Sequence, residues 1–93
     1  MKRLYHCNAK YDIDTLVSYD TTIIEFIEEY CYLNVYRSIT TYQHIRKYAD
    51  RLYEIGQPRK AHIVLVLYCR MLIDRYAKRI RYDIINETVE VFY

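Results

Sequence analysis

One glycine and one proline in 93 residues set the first limits on this chain. A lone glycine excludes the phosphate-cradling loops, which need several so that backbone N–H groups can approach a nucleotide. Gly56 reads instead as a helix stop. With only two serines, Ser18 and Ser38, the chain lacks the composition of a disordered tail and has few turns between long regular elements. Its length fits a single domain, residues 1–93, without a second core. Cys7, Cys31 and Cys69 are an odd set without CxxC spacing, which argues against a disulfide framework. The start, MKRLYHCNAKYD, has no apolar stretch of the signal-peptide kind. A reducing, cytoplasmic setting is therefore expected. The longest apolar run, Ile63–Cys69, is far short of the roughly twenty residues of a membrane span, so the chain reads as soluble.

What the chain has in abundance is tyrosine, thirteen in all, and charge that is unevenly placed. Residues 1–36 sum to −3, residues 37–82 to +8 and residues 83–93 to −3. A basic middle between acidic ends suits an anionic partner, or two elements that attract each other within the fold.

Periodicity points to helices. Residues 1–19 contain strand-like pieces, RLYHC and IDTLVSY, and are expected to form one or two short strands or an arm. Thr22 and Glu25 have the spacing of a capping box, and Glu25, Glu28 and Glu29 would then meet the positive end of a helix dipole. Apolar residues follow at 24, 27, 31, 35, 39, 42, 45, 49 and 52, a mean step of 3.5, the coiled-coil period. Helix one is thus predicted over residues 22–55, with a weak point at YLNVYRSITTY, rich in β-branched and aromatic residues. Gly56 ends it, and Pro58 opens helix two, residues 58–86, with an apolar first half and a basic far side. Residues 87–93, ETVEVFY, alternate and read as a short strand. The expected fold is mainly α: a long antiparallel two-helix hairpin with short N- and C-terminal β-strands. Because Ile63–Cys69 is apolar nearly all round, two hairpins are expected to pack as a symmetric four-helix homodimer.

Chemistry is hard to find. His6, Cys7, Cys31, His44, His62 and Cys69 could bind a metal, yet only His6 and Cys7 are close in sequence, so no metal and no cofactor is expected. Cys31 and Cys69 read as core residues, His44 as solvent-facing and His62 as partly buried. No nucleophile, base and orienter stand out as a set, and the protein is not expected to be an enzyme.

The basic surface remains. Arg70, Arg75, Lys78, Arg79 and Arg81 would line one side of helix two. Arg46, Lys47, Arg51, Arg59 and Lys60 would cluster at the hairpin tip. Arginine suits bidentate phosphate contacts, and Tyr76 and Tyr82 add hydrogen bonds or stacking. The reading from these ten residues is weak electrostatic binding of DNA without sequence readout. Pairing inside the fold, with Glu25, Glu28 and Glu29 or locally with Asp50, Glu54 and Asp74, or an unidentified protein partner, is the competing reading.

The segments EEYCYLNVYRSITTY and DRYAKRIRYDII, rich in Tyr, Ile and Arg, stand in a chain with five Asn plus Gln. In this the chain resembles small uncharacterised proteins of crenarchaeal viruses. Scarce amide side chains and many charged residues also fit a hot environment. The resemblance implies a cytoplasmic host compartment and a short viral reading frame, often of unknown role and often dimeric. It assigns no functional residue.

Overall fold

The computed structural model describes all 93 residues. It contains seven strands and two helices: β1 (Lys2–Arg3), β2 (Ala9–Tyr11), β3 (Thr15–Ser18), β4 (Thr21–Ile27), β5 (Tyr30–Asn34), α1 (Ile39–Glu54), α2 (Pro58–Ile73), β6 (Arg79–Asp83) and β7 (Thr88–Phe92). The strands form one antiparallel sheet in strict sequence order. Both helices are inserted between β5 and β6, which still pair directly, Cys31 with Tyr82 and Leu33 with Ile80.

This corrects the mainly α expectation and the coiled coil with it. Residues 22–34, assigned to the first half of helix one, are β4 and β5. Residues 79–83, assigned to the end of helix two, are β6. The 3.5-residue period competed with a period of two, and β-branched and aromatic content decided for strands. Ile24 faces Leu33 and Phe26 faces Cys31 across the hairpin, on the covered side of the sheet. Ile27, a member of the supposed helical stripe, is exposed. Thr22 and Glu25 lie in β4 and cap nothing. The true N-cap is Ser38, whose extended backbone (φ −138°, ψ 152°) lets its Oγ accept from the Thr41 N–H at 3.1 Å.

The turns explain why the hairpins are hard to see. Tyr19 and Asp20 connect Ser18 to Thr21, both at positive φ (48° and 66°). That is the two-residue connection usually given to Asn-Gly. Glu28, between β4 and β5, also has positive φ. In a chain with one glycine these left-handed positions fall on ordinary residues.

The helices cover one face of the sheet. Ile45, Tyr48, Ala49 and Leu52 of α1, and Ala61, Ile63, Val64, Leu67 and Met71 of α2, pack with Leu16, Ile24, Cys31, Leu33, Ile80 and Tyr82. Between β3 and β4 the register shifts, from Leu16 opposite Ile24 to Val17 opposite Thr22. Ile23 is the extra residue, and this bulge lets both Ile23 and Ile24 enter the core.

Arg37 fastens the two ends of the helical insertion. Its guanidinium donates to the carbonyls of Met71 (2.9 Å) and Asp74 (2.6 Å), with a longer contact to Ala77 (3.5 Å). Tyr48 donates to the Asp12 carbonyl at 3.0 Å, and Lys60 reaches Asp14 and the Ile13 carbonyl, tying α1 and α2 to the β2–β3 turn.

The open sheet face as a candidate nucleic-acid interface

Strand alternation puts one set of side chains on the face that no helix covers. Across β4 to β7 one row reads Glu25, Tyr32, Arg81, Glu90; beside it lie Asn34, Arg79 and Phe92, and on the other side Tyr30, Asp83 and Thr88. The arginines lean over the tyrosine rings. Arg79 sits 4.2 Å from the Tyr32 ring centre, and Arg81 sits 4.4 Å from Tyr30 and 5.5 Å from Phe92. Tyr30 and Tyr32 are themselves 6.1 Å apart. These are cation–π distances.

The two arginines differ in what they have left to offer. Arg81 donates to Glu90 at 2.6 Å, and that hydrogen bond is the main reason its pKa is raised. Its Nε is buried without a partner. Arg79 is exposed and makes no ion pair. Next to it along the chain are Lys78 and Arg75, also exposed and without an acidic partner, together with Tyr76, which is 76% exposed and lies under the Arg75 guanidinium. The end of β7 approaches the same place: Lys78 N–H donates to the Phe92 carbonyl, and Tyr93 donates to Asp74. This end of the face is basic and aromatic. The opposite end, at the β4–β5 and β6–β7 turns, carries Glu28, Glu29, Asp83 and Glu87. Asp83 is held below the usual carboxylate range, chiefly by hydrogen bonds from Asn86.

The ten cations singled out in the sequence therefore do not share one surface. Arg70 is on α2, Arg75 and Lys78 on the α2–β6 connection, and Arg79 and Arg81 on β6, so the supposed side of helix two is divided among three elements. Five of the ten are ion-paired, Arg51 with Glu54, Arg59 with Glu87, Lys60 with Asp14, Arg70 with Asp74 and Arg81 with Glu90. None of these partners is Glu25, Glu28 or Glu29. The tip cluster is largely spent in this way; Arg51 also donates to the Tyr11 hydroxyl at 2.8 Å. Arg46 and Lys47 have no acidic partner, but they sit on α1, in the layer on the other side of the sheet.

The histidines and cysteines are scattered. No three metal-ligating side chains come together. Cys69 and His62 are exposed, contrary to expectation, and Cys31 is buried, with its thiol pKa raised by burial. His44, read as solvent-facing, is enclosed and joined to Ser18 by a hydrogen bond of 2.7 Å between Oγ and Nδ1. Burial, and secondarily Lys47, lowers its pKa. Sequence reasoning missed this pair because Ser18 and His44 are 26 residues apart and carry no motif. Both are too enclosed to meet a substrate, and the bond serves to satisfy two buried polar groups.

No family model, curated protein or solved structure matches this chain. No helix is long and apolar enough to cross a membrane.

Proposed function

We propose that this protein is a non-catalytic binder of single-stranded nucleic acid, engaged at the basic end of the open sheet face. The observation that carries the reading is Arg79, exposed and unpaired, lying over Tyr32 and opposite Phe92 on an uncovered sheet face, with the exposed Lys78 just before it in the chain. A flat sheet bearing aromatic rings suits unstacked bases, while guanidinium and ammonium groups take the phosphates. Rigid duplex offers its phosphates but keeps its bases stacked, so it gains only the electrostatic part. The expectation of DNA binding without sequence readout is retained in its chemistry and moved from a helix to this face. Three free cations make it weak and salt-dependent.

The test is a fluorescence-anisotropy titration of labelled single-stranded and duplex oligonucleotides. Arg75→Glu, Lys78→Glu and Arg79→Glu in one chain should abolish binding at low salt, with the circular-dichroism spectrum unchanged. Arg46→Glu with Lys47→Glu, on the opposite layer, should leave most of the affinity. Reversal of that order would place any nucleic acid on α1 and reject the sheet face.

A further inference from the structure

The sheet has two edges, and they are guarded differently. At one end β1 is only two residues long, and both, Lys2 and Arg3, are basic, a common protection against strand pairing. At the other end β7 offers five residues, TVEVF, without proline or a basic side chain. The hydrogen-bond parity of β6 fixes what β7 exposes. Val35 N–H donates to the Lys78 carbonyl and Ile84 N–H to the Glu29 carbonyl, so Ile80 and Tyr82 of β6 turn their backbone groups to β5, while the Lys78 N–H, just ahead of the strand, goes to Phe92. The odd-numbered residues, 79, 81 and 83, then bond to Phe92, Glu90 and Thr88. The N–H and C=O of Val89 and Val91 are left facing outward.

Beside this edge, α2 keeps apolar surface that the sheet does not cover. A groove of about 350 Å³ runs between α2 and β7, lined by Leu65, Val66, Cys69, Ile73 and Val89 together with His62 and Arg70, the latter paired with Asp74. Ile73 is 73% exposed. The sheet has taken Ile63, Val64, Leu67 and Met71 of the helix and left this stripe.

We propose that a second copy of this chain occupies the β7 edge and the groove, related by a two-fold axis through Glu90 and normal to the sheet. That register is self-complementary. Val89 stands opposite Val91 of the second copy, and Val91 opposite its Val89, each exchanging both outward backbone hydrogen bonds. Thr88 and Phe92 face each other on the open side. Both copies keep their helices on the same side, so the two apolar grooves meet across the axis. Shifting the register by one residue would set inward Val against outward Glu. Glu90 meets Glu90 across the axis, and each is already neutralised by Arg81 at 2.6 Å; Arg70 in the groove is likewise paired with Asp74. A strand from an unrelated protein could satisfy the edge alone; the chain's own β7 and α2 satisfy edge and groove together. The interface also sets two open faces side by side, though the inference does not rest on nucleic-acid binding.

Sedimentation velocity without nucleic acid, over a roughly hundred-fold concentration range, reads the mass directly. The expected result is a species of twice the 11.5 kDa chain mass. Ile73→Glu should raise the dimer dissociation constant roughly ten- to a hundredfold while the fold is retained. Glu90→Cys, in a chain with Cys7→Ser, Cys31→Ala and Cys69→Ser, reads the register. Residues facing each other at a non-hydrogen-bonded antiparallel position lie about 4.5 Å apart at Cα, within disulfide range. It should form a linked dimer on oxidation, whereas Thr88→Cys, roughly 13 Å from its mate, should not. A monomer throughout the range would overturn the proposal, as would a dimer indifferent to Ile73→Glu that does not link through Cys at 90.

Discussion

Replacing Arg37 by alanine should cost this protein about 1–3 kcal/mol of stability, although Arg37 itself is exposed. Its guanidinium donates to three carbonyls. Met71 and Asp74 accept at 2.9 and 2.6 Å, and Ala77 accepts weakly at 3.5 Å. Met71 lies in the last turn of α2, where carbonyls lack intrahelical partners and a cation also meets the negative end of the helix dipole. Hydrogen bonds to charged groups contribute about 1.5–3 kcal/mol each. Arg37 is exposed, so water replaces it in part, and the sum is discounted to the range given. For a domain of this size each kcal/mol moves the melting temperature by about 4–8 °C. Arg37→Lys should recover little, since one ammonium cannot reproduce a fork directed at separate carbonyls. Urea unfolding followed by circular dichroism measures the change. A loss under about 0.3 kcal/mol, within the usual scatter for surface substitutions, would refute the clamp.

Three further outcomes follow from the same geometry. His44 is held neutral by burial, so its folded pKa lies below its unfolded value of about 6.5. Its contribution is present above that value and is lost as pH falls from it through the folded pKa. Wild type should therefore lose more stability between pH 7 and pH 5 than His44→Asn does; identical pH profiles would contradict this. Glu28→Gly and Asp20→Gly should each stabilise the protein by about 0.5–1 kcal/mol, because both residues sit at positive φ. Thermal melts that shift downward in both variants would show that those turns are held by their side chains. Tyr32→Ala should weaken single-stranded binding by about 1–3 kcal/mol and duplex binding much less, read by anisotropy.

Some of this architecture was visible in the residues. The inward positions of α1, Tyr42, Ile45, Ala49 and Leu52, belong to the stripe seen in the sequence, and α2 begins at Pro58 just after the left-handed Gly56. ETVEVFY alternates and contains β7. The β4–β5 hairpin was hidden for two reasons. Ile24, Ile27, Cys31 and Val35 fall by chance on a helical period, and the turn at Glu28 carries none of the residues that usually mark one. The break after α2 is hidden likewise, because Asp74–Lys78 contains neither glycine nor proline, and RIRYD continues an amphipathic pattern that serves helix and strand alike. That error also concealed the candidate site. On a helix, Arg75, Lys78, Arg79 and Arg81 form one basic stripe. On a strand, Arg79 and Arg81 alternate with Ile80 and Tyr82 and meet Tyr30 and Tyr32, which only the sheet brings within 4.4 Å. Ion pairing removed half of the cations: Glu54 and Asp74 are local partners that spacing could show, whereas Asp14, Glu87 and Glu90 are distant in sequence or sit across a hairpin, and composition cannot show that they are partners.

The most direct test of the central claim is the salt dependence of binding to a labelled single strand, measured beside a duplex of the same sequence. Arg75, Lys78 and Arg79 neutralising about three phosphates predict that log K falls with log salt at a slope of roughly −2, with single strand preferred. A duplex preference, a slope near zero, or no binding at low salt would contradict the account.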